Sequence, residues 1–452
     1  MPDQYIKVLK VIEMRTNEYV DTVIVGGGQA GLSVSYYLTR QNHLHVILEQ
    51  AEEAANAWRN HRWDSFALNT PNWQSRLPGM REPGSGPDGF LSRNEIVGYL
   101  EDYIHRFQLP VRYGVRVDRI AENETVSSYV VDTTTGTFAA QNVVVATGLY
   151  QFPKIPRISS MVPGSIKQLH SDAYRNAHLL PAGSVLVVGS AQSGAQITED
   201  LMQAGRKVYL SVSRAGRVPR RYRDKDANWW HQLMGDYDRT VEQLPSSKAK
   251  FATKPHLSGT CGGHTINLHQ FARDGVSLLG RIEGMRGKQL LLARDLQENL
   301  ANADRFEAKF VKNVDDFITR NGIAAPDEAQ PELLDGFSSE NPSVLDLEHA
   351  NITSVIWATG YGFDFSSVQL PVFDSDGYPI QKRGVTDYPG LYFIGLPWLH
   401  NARSGLLFGL KDDAAYIASN LEARTFHANW LSGLQESSAI PARTPVIDGG
   451  AQ

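Results

Sequence analysis

The hydrophobic pattern of the chain repeats one arrangement twice. A β-branched apolar run at residues 19–25 enters a glycine-rich turn, and residues 184–188 do the same. Each turn is followed by a stretch with helical spacing and then by a second apolar run, near 43–50 and 206–213 respectively. Short continuous apolar runs are typical of strands buried in a parallel sheet. The pattern therefore predicts two β-turn-α-β units and an α/β fold with two Rossmann-like domains.

Other segments show the period of helices. Residues 92–107 follow an N-cap at Ser92 and carry apolar side chains on one face. Residues 295–318 carry a longer stripe of the same kind, which predicts a helix packed through one face. A closing helix is expected over residues 404–421. Residues 225–280 are rich in Trp, His and Gly without a clear period, and this predicts an irregular insertion.

The first turn has the G-x-G-x-x-G spacing at residues 26–31. In such a turn the first glycine permits the bend, the second lets the backbone approach a pyrophosphate, and the third lets helix and strand pack closely. The helix N-terminus adds N–H groups and a positive dipole. Glu49 ends the second strand, where a carboxylate accepts hydrogen bonds from ribose hydroxyls and repels a 2′-phosphate. This unit is predicted to bind FAD or NAD.

The second turn, at residues 189–194, has alanine in place of the middle glycine. Its second strand ends in Ser213 and Arg214, which are expected to stand where the first unit has Glu49. A hydroxyl and a guanidinium suit a dianionic 2′-phosphate through charge-assisted hydrogen bonds. Further arginines, which either add positive charge or form a solvated basic face, follow at 217, 220, 221 and 223. This unit is predicted to bind NADPH, so one site holds FAD and the other takes the reductant.

Composition narrows the function classes. The chain has 452 residues, 42% of them hydrophobic, and a net charge of -5, so no basic excess indicates a nucleic-acid partner. No apolar run approaches the roughly 20 residues of a membrane span, and charges interrupt the first twenty residues, so a cytoplasmic protein without a membrane partner is expected. Cys261 is the only cysteine, so the chain cannot form the redox dithiol of disulfide reductases.

Several motifs resemble those of the group B flavin-dependent monooxygenases, which include flavin-containing monooxygenases, Baeyer–Villiger monooxygenases and amine N-hydroxylases. The matching segments are GGGQAG at 26–31, WDSFALNTPN at 63–72, VVVATG at 143–148, GSAQSG at 189–194, WATGY at 357–361 and PGLYFIGLPWLH at 389–400. Residues 396–418 are particularly similar to a bacterial flavoprotein branch of this group. The fingerprint F-x-G-x-x-x-H-x-x-x-(F/Y/W) survives only as His170 and Tyr174, because Gly164 and Ile166 hold its first two positions. A Tyr–Arg ending resembles the flavin-containing and N-hydroxylating branch more than Baeyer–Villiger enzymes.

The resemblance implies a reaction. NADPH reduces FAD, the reduced flavin reacts with O2 to give a C4a-(hydro)peroxide, and one oxygen atom passes to a small organic substrate. N- or S-oxygenation, or hydroxylation of an electron-rich aromatic or amine, ranks first, and Baeyer–Villiger oxygenation of a ketone is the alternative. An alternative of another class is a flavoprotein that serves as a redox sensor or electron-transfer protein without oxygenating a substrate.

The resemblance also implies roles for individual residues. Asn69 matches an asparagine that lies beside the oxygenated flavin in flavin-containing monooxygenases, although asparagine before Pro71 also suits a simple loop. The N-terminus of the closing helix, at 404–407, is expected to face the flavin's O2 with Arg403 adding charge, so Asn69 and Arg403 are the candidate catalytic residues. The candidate cofactor-binding residues are Gly26, Gly28, Gln29, Ala30, Gly31, Glu49, Gln50, Trp58, Arg59, Asn69, Thr147, Gly148, Gly189, Ala191, Gln192, Ser193, Gly194, Ser213, Arg214, Ala358, Thr359, Gly360 and Leu406.

These motifs predict two nested domains. The expected ranges are 1–18 for an N-terminal extension, 19–155 and 345–432 for the FAD-binding domain, 156–344 for the inserted NADPH-binding domain with its irregular or helical insertion at about 225–320, and 433–452 for a flexible tail. The insertion carries C-x-x-H-x-x-x-x-H at residues 261–269, which matches no common structural zinc site, so no metal is predicted. Its aromatic residues line a substrate mouth or pack on the body. A small-molecule substrate and O2 are the predicted partners, and a homodimer is left open.

Overall fold

A computed structural model describes residues 16–123 and 128–437 of the chain. The strands are β1 Thr16–Val25, β2 His45–Leu48, β3 Val111–Arg112, β4 Val117–Asn123, β5 Ser128–Thr133, β6 Gly136–Val145, β7 Phe152–Pro153, β8 Lys167–His170, β9 Ser184–Val188, β10 Val208–Ser211, β11 Arg221–Tyr222, β12 Lys225–Asp226, β13 Ser277–Leu279, β14 Ile282–Arg286, β15 Gln289–Leu292, β16 Val344–Asp346, β17 Ile352–Trp357, β18 Tyr361–Gly362 and β19 Leu391–Phe393. The α-helices are α1 Gln29–Arg40, α2 Asn56–Arg59, α3 Arg93–Phe107, α4 Gln192–Gln203, α5 Ala227–Leu233, α6 Leu268–Arg273, α7 Leu296–Asn321 and α8 Leu410–Ser437.

The first sheet is organised around the long strand β6. One edge of β6 pairs in parallel with β1, which continues to β2 and β3. Along its other edge, residues 137–140 pair antiparallel with β5 and residues 143–145 pair in parallel with β19. The sheet therefore combines a parallel half with an antiparallel meander through β5 and β4. The parallel half is buried, which explains the continuous apolar runs of β1 and β6, and α1 packs against α8 beside it.

The second sheet is parallel throughout and has the order β13-β10-β9-β17-β8. Its strands β9 and β10 come from the second β-turn-α-β unit, with α4 between them. A separate antiparallel sheet of β14, β15 and β16 follows. The predicted α/β fold with two Rossmann-like units, the second inserted in the first, is therefore confirmed.

Two predicted domain boundaries were wrong. Strand β17 lies between β9 and β8 of the second sheet, although its range was assigned to the FAD-binding domain that was to resume at residue 345. Strand β13 forms an edge of the same sheet, so the range of about 225–320 contains part of the nucleotide-binding body as well as an insertion. An apolar run suits the parallel part of either sheet, and only hydrogen-bond pairing decides between the two sheets.

The ends of several elements also differ from the predictions. Strand β1 begins at Thr16, within the predicted extension 1–18, and residues 1–15 lie outside the described residues. Helix α8 begins at Leu410 and not at Ser404, because a turn and a 3-10 helix at Leu407–Gly409 precede it. It runs to Ser437, into the predicted tail, and the remaining tail lies outside the described residues. Within the described chain, no helix has the length and apolar character needed to cross a membrane.

Helices α3 and α7 were both predicted from the sequence, and each buries apolar side chains along one face. Helix α3 begins with a capping box, in which the Ser92 side chain accepts from the Glu95 N–H and Glu95 binds back to the Ser92 N–H. Helix α7 buries Leu300, Phe310 and Val314 along the predicted stripe. This helix also contacts the second unit, because its carboxylates pair with arginines that follow β10.

Candidate functional site

The first glycine turn joins β1 to α1 and leaves room for a ligand. Gly26 has a φ of +108°, and a Cβ there would lie 2.9 Å from the carbonyl oxygen of Ala146. A Cβ on Gly31 would lie 2.1 Å from the carbonyl oxygen of Gly26. At Gly28, the N-cap of α1, a Cβ would meet nothing within 4 Å. The turn is thus closely packed on its protein side and open at the helix N-terminus, which fits a pyrophosphate.

The second glycine turn joins β9 to α4 in the same way. A Cβ on Gly189, whose φ is +100°, would lie 2.6 Å from the Ala358 carbonyl oxygen, and one on Gly194 would lie 1.8 Å from the Gly189 carbonyl oxygen. Ala191 is the N-cap, with φ -70° and ψ -176°. Gly28 has nearly the same angles, φ -78° and ψ 178°. Because this is extended backbone, alanine replaces the middle glycine without strain.

The tripeptide Ala-Thr-Gly faces each glycine turn. It follows β6 at residues 146–148 and β17 at residues 358–360. The Thr147 hydroxyl accepts from the Gln151 side chain at 3.2 Å, and the Thr359 hydroxyl donates to the Lys154 carbonyl. His170 is buried and binds the carbonyl oxygen of Gly360 at 2.9 Å through Nε2. The first tripeptide lies against the first turn, where Gly26 approaches Ala146 and Thr147, and the second lies against the second turn, where Gly189 approaches Ala358.

Glu49 is fixed at the first turn by two backbone groups. Its Oε2 accepts from the Gly27 N–H at 2.7 Å and its Oε1 accepts from the Ala51 N–H at 2.9 Å. A carboxylate has about four acceptor positions. The positions that remain can accept from the ribose hydroxyls of an adenosine, so the first unit fits FAD. Gln50, the next residue, is exposed at the same mouth.

The position that corresponds to Glu49 in the second unit is not the predicted one. The first glycine of each turn donates its N–H to the last residue of the second strand, Leu48 in one unit and Ser211 in the other. Val212 therefore occupies the place of Glu49, and the alignment with Ser213 was wrong by one position. Val212 is fully buried, so the second unit has no acid where the first has one.

Arg214 is exposed at the mouth of the second unit. Its guanidinium lies 3.3 Å from the Glu298 carboxylate, and its side chain is 76% exposed. An exposed ion pair of this kind contributes at most about 1 kcal/mol. A dianionic phosphate can therefore compete with Glu298 for this guanidinium. Ser213, the neighbouring residue, is held through its backbone by the Ser190 hydroxyl at 2.9 Å.

The later arginines do not form a phosphate-binding cluster. Three of them are largely buried and neutralised by carboxylates. The pairs are Arg217 with Asp304 and Glu307, Arg220 with Asp226, and Arg223 with Asp315. Both alternatives considered for these three residues, added positive charge and a solvated basic face, were wrong. Their acids lie on α7 and in β12, which sequence spacing alone could not place beside them.

Residues 256–263, called here the strap, cross the second glycine turn. The side-chain amide of Gln192 donates to the Leu257 carbonyl and accepts from the Leu257 N–H at 3.1 Å. The buried imidazole of His256 binds the Ser190 carbonyl, so its Nε2 carries the proton. Burial lowers the pKa of His256 to about 4, which keeps the ring neutral. The Gln192 side chain is thus engaged by the strap, while Gln192 and Ser193 begin α4.

The strap and Arg220 connect the second unit to the loop that carries Asn69. A Cβ on Gly259 would lie 1.7 Å from the Leu68 carbonyl oxygen, and one on Gly263 would lie 2.5 Å from the Phe90 ring. Arg220 donates to the Asn69 carbonyl at 2.8 Å. Asn69 itself is half-buried, and its catalytic role stays a prediction.

The closing segment lies against the start of α1. The Gln29 side chain donates to the Gly405 carbonyl at 3.4 Å, and a Cβ on Gly395 would lie 2.6 Å from the Ala30 Cβ. Leu406 precedes the 3-10 helix, so the expected start of an α-helix at 404–407 was wrong. The segment nonetheless comes close to the first glycine turn.

Arg403 is held by two carboxylates on either side of the closing segment. Its guanidinium lies 3.2 Å from Asp238 and 3.4 Å from Asp412. Its charge is therefore compensated within the chain.

Trp58 and Arg59 belong to the short helix α2. The Trp58 ring is half-buried, and the Arg62 guanidinium lies 5.3 Å from its centroid. Arg59 pairs with Glu53 at 3.3 Å and with Glu101. Both side chains thus contact other residues of the chain, and their place in the FAD site stays a prediction.

A cavity of about 250 Å³ opens between the loop after Asn69, the insertion and the closing segment. It is lined by Trp73, Gln74, Arg76, Gln232, Tyr237, Asp238, Arg403, Phe408 and Lys411. The insertion therefore contributes Tyr237 to a cavity, as one of its two interpretations predicted. Trp230 follows the other interpretation, since it is fully buried and donates its indole N–H to the Tyr222 carbonyl at 2.8 Å.

The histidines of the insertion have separate partners. His264 binds Glu199, and His269 binds Asp304 at 3.2 Å and the Gly336 N–H at 3.0 Å. Cys261 is exposed. In the part of the chain that the structure describes, no three metal-ligating side chains come together.

Comparisons with known proteins agree with this geometry. Residues 23–245 match the sequence profile of the pyridine nucleotide-disulphide oxidoreductase family. A relative in Geobacillus kaustophilus, an uncharacterized CzcO-like oxidoreductase, is 32% identical over 89% of this chain and 98% of its own length. The probable indole-3-pyruvate monooxygenase YUCCA1 of Arabidopsis thaliana is 30% identical over 88% of this chain and 89% of its own length.

Solved structures share the fold. A flavin-containing monooxygenase from Stenotrophomonas maltophilia has a TM-score of 0.61 at 20% identity, covering 90% of this chain and 99% of its own. The bacillithiol disulfide reductase of Staphylococcus aureus has a TM-score of 0.57 at 14% identity, covering 90% and 99% respectively. With a single cysteine, this chain has no dithiol of its own. The sequence relatives and the two nucleotide-binding turns together show that the chain belongs to the flavin-dependent monooxygenases, enzymes that use FAD and NADPH.

Proposed function

We propose that the protein oxygenates a small organic molecule at nitrogen or sulfur, or hydroxylates an electron-rich aromatic ring. The observation that carries this proposal is the cavity, because three segments converge on it. One segment follows Asn69, one carries Tyr237 of the insertion, and one is the closing segment beside the first glycine turn. A plant relative named for an aromatic substrate supports an aromatic ring among the candidate substrates.

The two nucleotide-binding units and the cavity have separate tasks in this proposal. Bound FAD supplies the activation of O2. The first glycine turn and Glu49 hold the adenosine half of that cofactor, and Arg214 with Ser213 selects NADPH as reductant. The half-buried amide of Asn69 offers one acceptor and two donors next to the reacting atoms. The rings of Phe408 and Tyr237 meet edge to face with centroids 5.0 Å apart and give the cavity an apolar wall beside the substrate.

Oxygen-isotope labelling tests this function. The FAD-loaded protein is mixed with NADPH under ¹⁸O2, and a panel of amines, thioethers, indoles and ketones is analysed by mass spectrometry. We expect one ¹⁸O atom in the products of an amine, thioether or indole, with NADPH consumed in step. Ring-expanded esters from ketones as the main products would support the Baeyer–Villiger alternative. NADPH oxidation that yields only H2O2 with every class would reject the proposal in favour of a redox sensor or electron-transfer protein.

A further inference from the structure

A second cavity, of about 420 Å³, lies between the hairpin at residues 382–385, the closing segment and helix α8. Its polar lining residues are Arg383, His400, Asn401, Arg403, Asp412 and Ser419. Neither glycine turn contributes to it, and in the described lining Arg403 is the one residue that it shares with the cavity proposed for the substrate. The two nucleotide sites and the substrate cavity therefore do not account for this space.

Arg383 is held in place by its backbone and by one aromatic ring. It forms a two-residue turn with Gly384, since the backbones of Lys382 and Val385 bond to each other at 2.9 and 3.1 Å. Arg383 has a φ of +52°, which is uncommon outside glycine, asparagine and aspartate. Its guanidinium lies 4.0 Å from the centroid of the Tyr416 ring. Stacking of this kind holds the group flat and leaves its N–H edge free for an acceptor.

This half-buried guanidinium has no acceptor among the described residues. The Arg383 side chain forms no hydrogen bond and no ion pair with any of them, and its Nε is buried. The Nε of Arg403 is likewise buried without a partner, although Nη2 of the same group pairs with Asp238 and Asp412. A buried polar group without a partner costs free energy, most of all when it is charged. An anion that approaches Arg383 therefore meets a cation that no ion pair neutralises.

The acids near the cavity form no ion pair with Arg383. Asp412 pairs with Arg403 at 3.4 Å, and this pair is weak because its side chains are 38% and 31% exposed. Asp413 is buried and does not line the cavity, and burial raises its pKa while the charge of Arg383 opposes the rise. Burial and the charge of Arg383 lower the pKa of His400, so its ring is neutral at pH 7 and supplies one N–H donor. The lining thus offers an anion two cations and a neutral donor against one weakly paired carboxylate.

We propose that this second cavity binds the phosphate group of a small molecule. Arg383 and Arg403 supply charge-assisted hydrogen bonds, which a phosphate accepts on several oxygens at once. A carboxylate carries less charge and fewer acceptor oxygens, so it binds less tightly. The site is separate from both glycine turns, and it does not depend on the proposed oxygenation.

Phosphate binding is measured while both nucleotide sites are occupied. The FAD-loaded protein is saturated with NADP+, and inorganic phosphate, glycerol 3-phosphate and acetate are each titrated at constant pH and ionic strength. Ligand-observed NMR reports the binding of all three. We expect both phosphates to bind at least about 10-fold more tightly than acetate. The tighter of the two phosphates identifies the source of the group, a free ion or a phosphate ester.

Two variants assign the binding to Arg383. Arg383→Asn keeps the turn, because asparagine before glycine is a preferred sequence for a two-residue turn with positive φ at both positions. It should weaken both phosphates at least about 10-fold, since one charge-assisted contact is lost. Lys382→Gln removes the adjacent exposed cation, which does not line the cavity, and should change the affinity by less than about 2-fold.

Amide hydrogen exchange locates the bound phosphate. Exchange at residues 399–403 should slow at least about 3-fold when phosphate is bound, because a ligand stabilises the segment that it contacts against local opening. Arg383→Asn should abolish this protection, and Lys382→Gln should retain it. Equal phosphate affinities in the parent and Arg383→Asn, acetate bound as tightly as phosphate, or protection confined to other segments would overturn the inference. None of these measurements requires turnover, so they stand whether or not the protein oxygenates a substrate.

Discussion

At the scale of single residues, the third glycine of each turn is fixed by steric contact. A Cβ on Gly31 would stand 2.1 Å from a backbone oxygen, far inside contact distance. Gly31→Ala must therefore separate α1 from β1, and we expect it to lower the free energy of unfolding by about 3 kcal/mol and to abolish FAD retention. Chemical denaturation and the flavin absorbance of the purified protein measure both effects.

Gly98 provides the matched control. It lies inside α3, where a Cβ would meet nothing within 4 Å. Gly98→Ala should therefore be neutral or stabilise the protein by up to about 1 kcal/mol, because alanine is the better helix residue. Equal FAD content in the two variants would contradict the role assigned to Gly31.

Asp413 is expected to make stability depend on pH. Its carboxyl is 2% exposed, and Oδ2 has no hydrogen-bond partner within the described residues. Burial raises its pKa from 3.8 to about 6. The folded state thus binds this proton more tightly than the unfolded state, so the contribution of Asp413 to stability is fully present below pH 4 and is lost as the pH rises through 6.

Asp413→Asn removes this titration with little change in shape. At pH 7.5 the variant should be more stable than the parent by about 2 kcal/mol, and at pH 4 the two should be nearly equal. Urea denaturation of both proteins at the two pH values checks the difference. A stability difference that is the same at both pH values would show that Asp413 is not the group responsible.

The residues of the two turns could be predicted because their signal is local. The glycine spacing and Glu49 lie within one unit, and the structure places them around one open helix N-terminus. The buried arginine pairs could not be predicted, because Arg217 meets carboxylates about 90 residues further along the chain. The one-residue misalignment at Ser213 had a similar cause, since strand ends are defined by pairing and not by composition.

At the scale of elements, β17 shows the limit of hydrophobic patterns. Its sequence predicts a buried strand before a glycine, and that is what the structure contains. Pairing with β8 and β9 then assigns it to the second sheet. The pattern gave the type of element but not the sheet, because the choice of neighbours depends on contacts between segments distant in sequence.

The sequence predicted no structure for the strap, and the buried His256 is one of the residues that attach it to the second glycine turn. Loss of a buried hydrogen bond to the Ser190 carbonyl should lower the free energy of unfolding by about 2 kcal/mol in His256→Ala. Amide hydrogen exchange across residues 256–263 should accelerate at least about 10-fold, whereas the exposed control His349→Ala should leave it unchanged. Unchanged exchange in His256→Ala would mean that the strap is held by other contacts.

At the scale of the whole molecule, Arg220 joins the two nucleotide-binding units. It is 2% exposed, pairs with Asp226 and donates to the Asn69 carbonyl in the first unit. Arg220→Ala removes the ion-pair partner of the largely buried Asp226 carboxylate and should cost about 3 kcal/mol of stability. The exposed neighbour Arg221→Ala should change stability by less than about 0.5 kcal/mol. Equal thermal shifts in the two variants would contradict this account.

The molecule contains the β-turn-α-β unit twice, and the two copies carry opposite charges at their nucleotide-binding mouths. The first unit presents the Glu49 carboxylate at its mouth, and the second presents the exposed Arg214 guanidinium beside a buried Val212. This difference is the reason that one unit is predicted to hold FAD and the other to select NADPH.

Anaerobic stopped-flow reduction of the bound flavin tests that claim directly. With the parent protein, NADPH should reduce the flavin at least about 10-fold more efficiently than NADH, since a charge-assisted contact contributes about 1.5 to 3 kcal/mol. Arg214→Ala should remove most of this preference while leaving reduction by NADH unchanged. Faster reduction of the parent by NADH, or a preference for NADPH that Arg214→Ala does not alter, would contradict the assignment of the second unit.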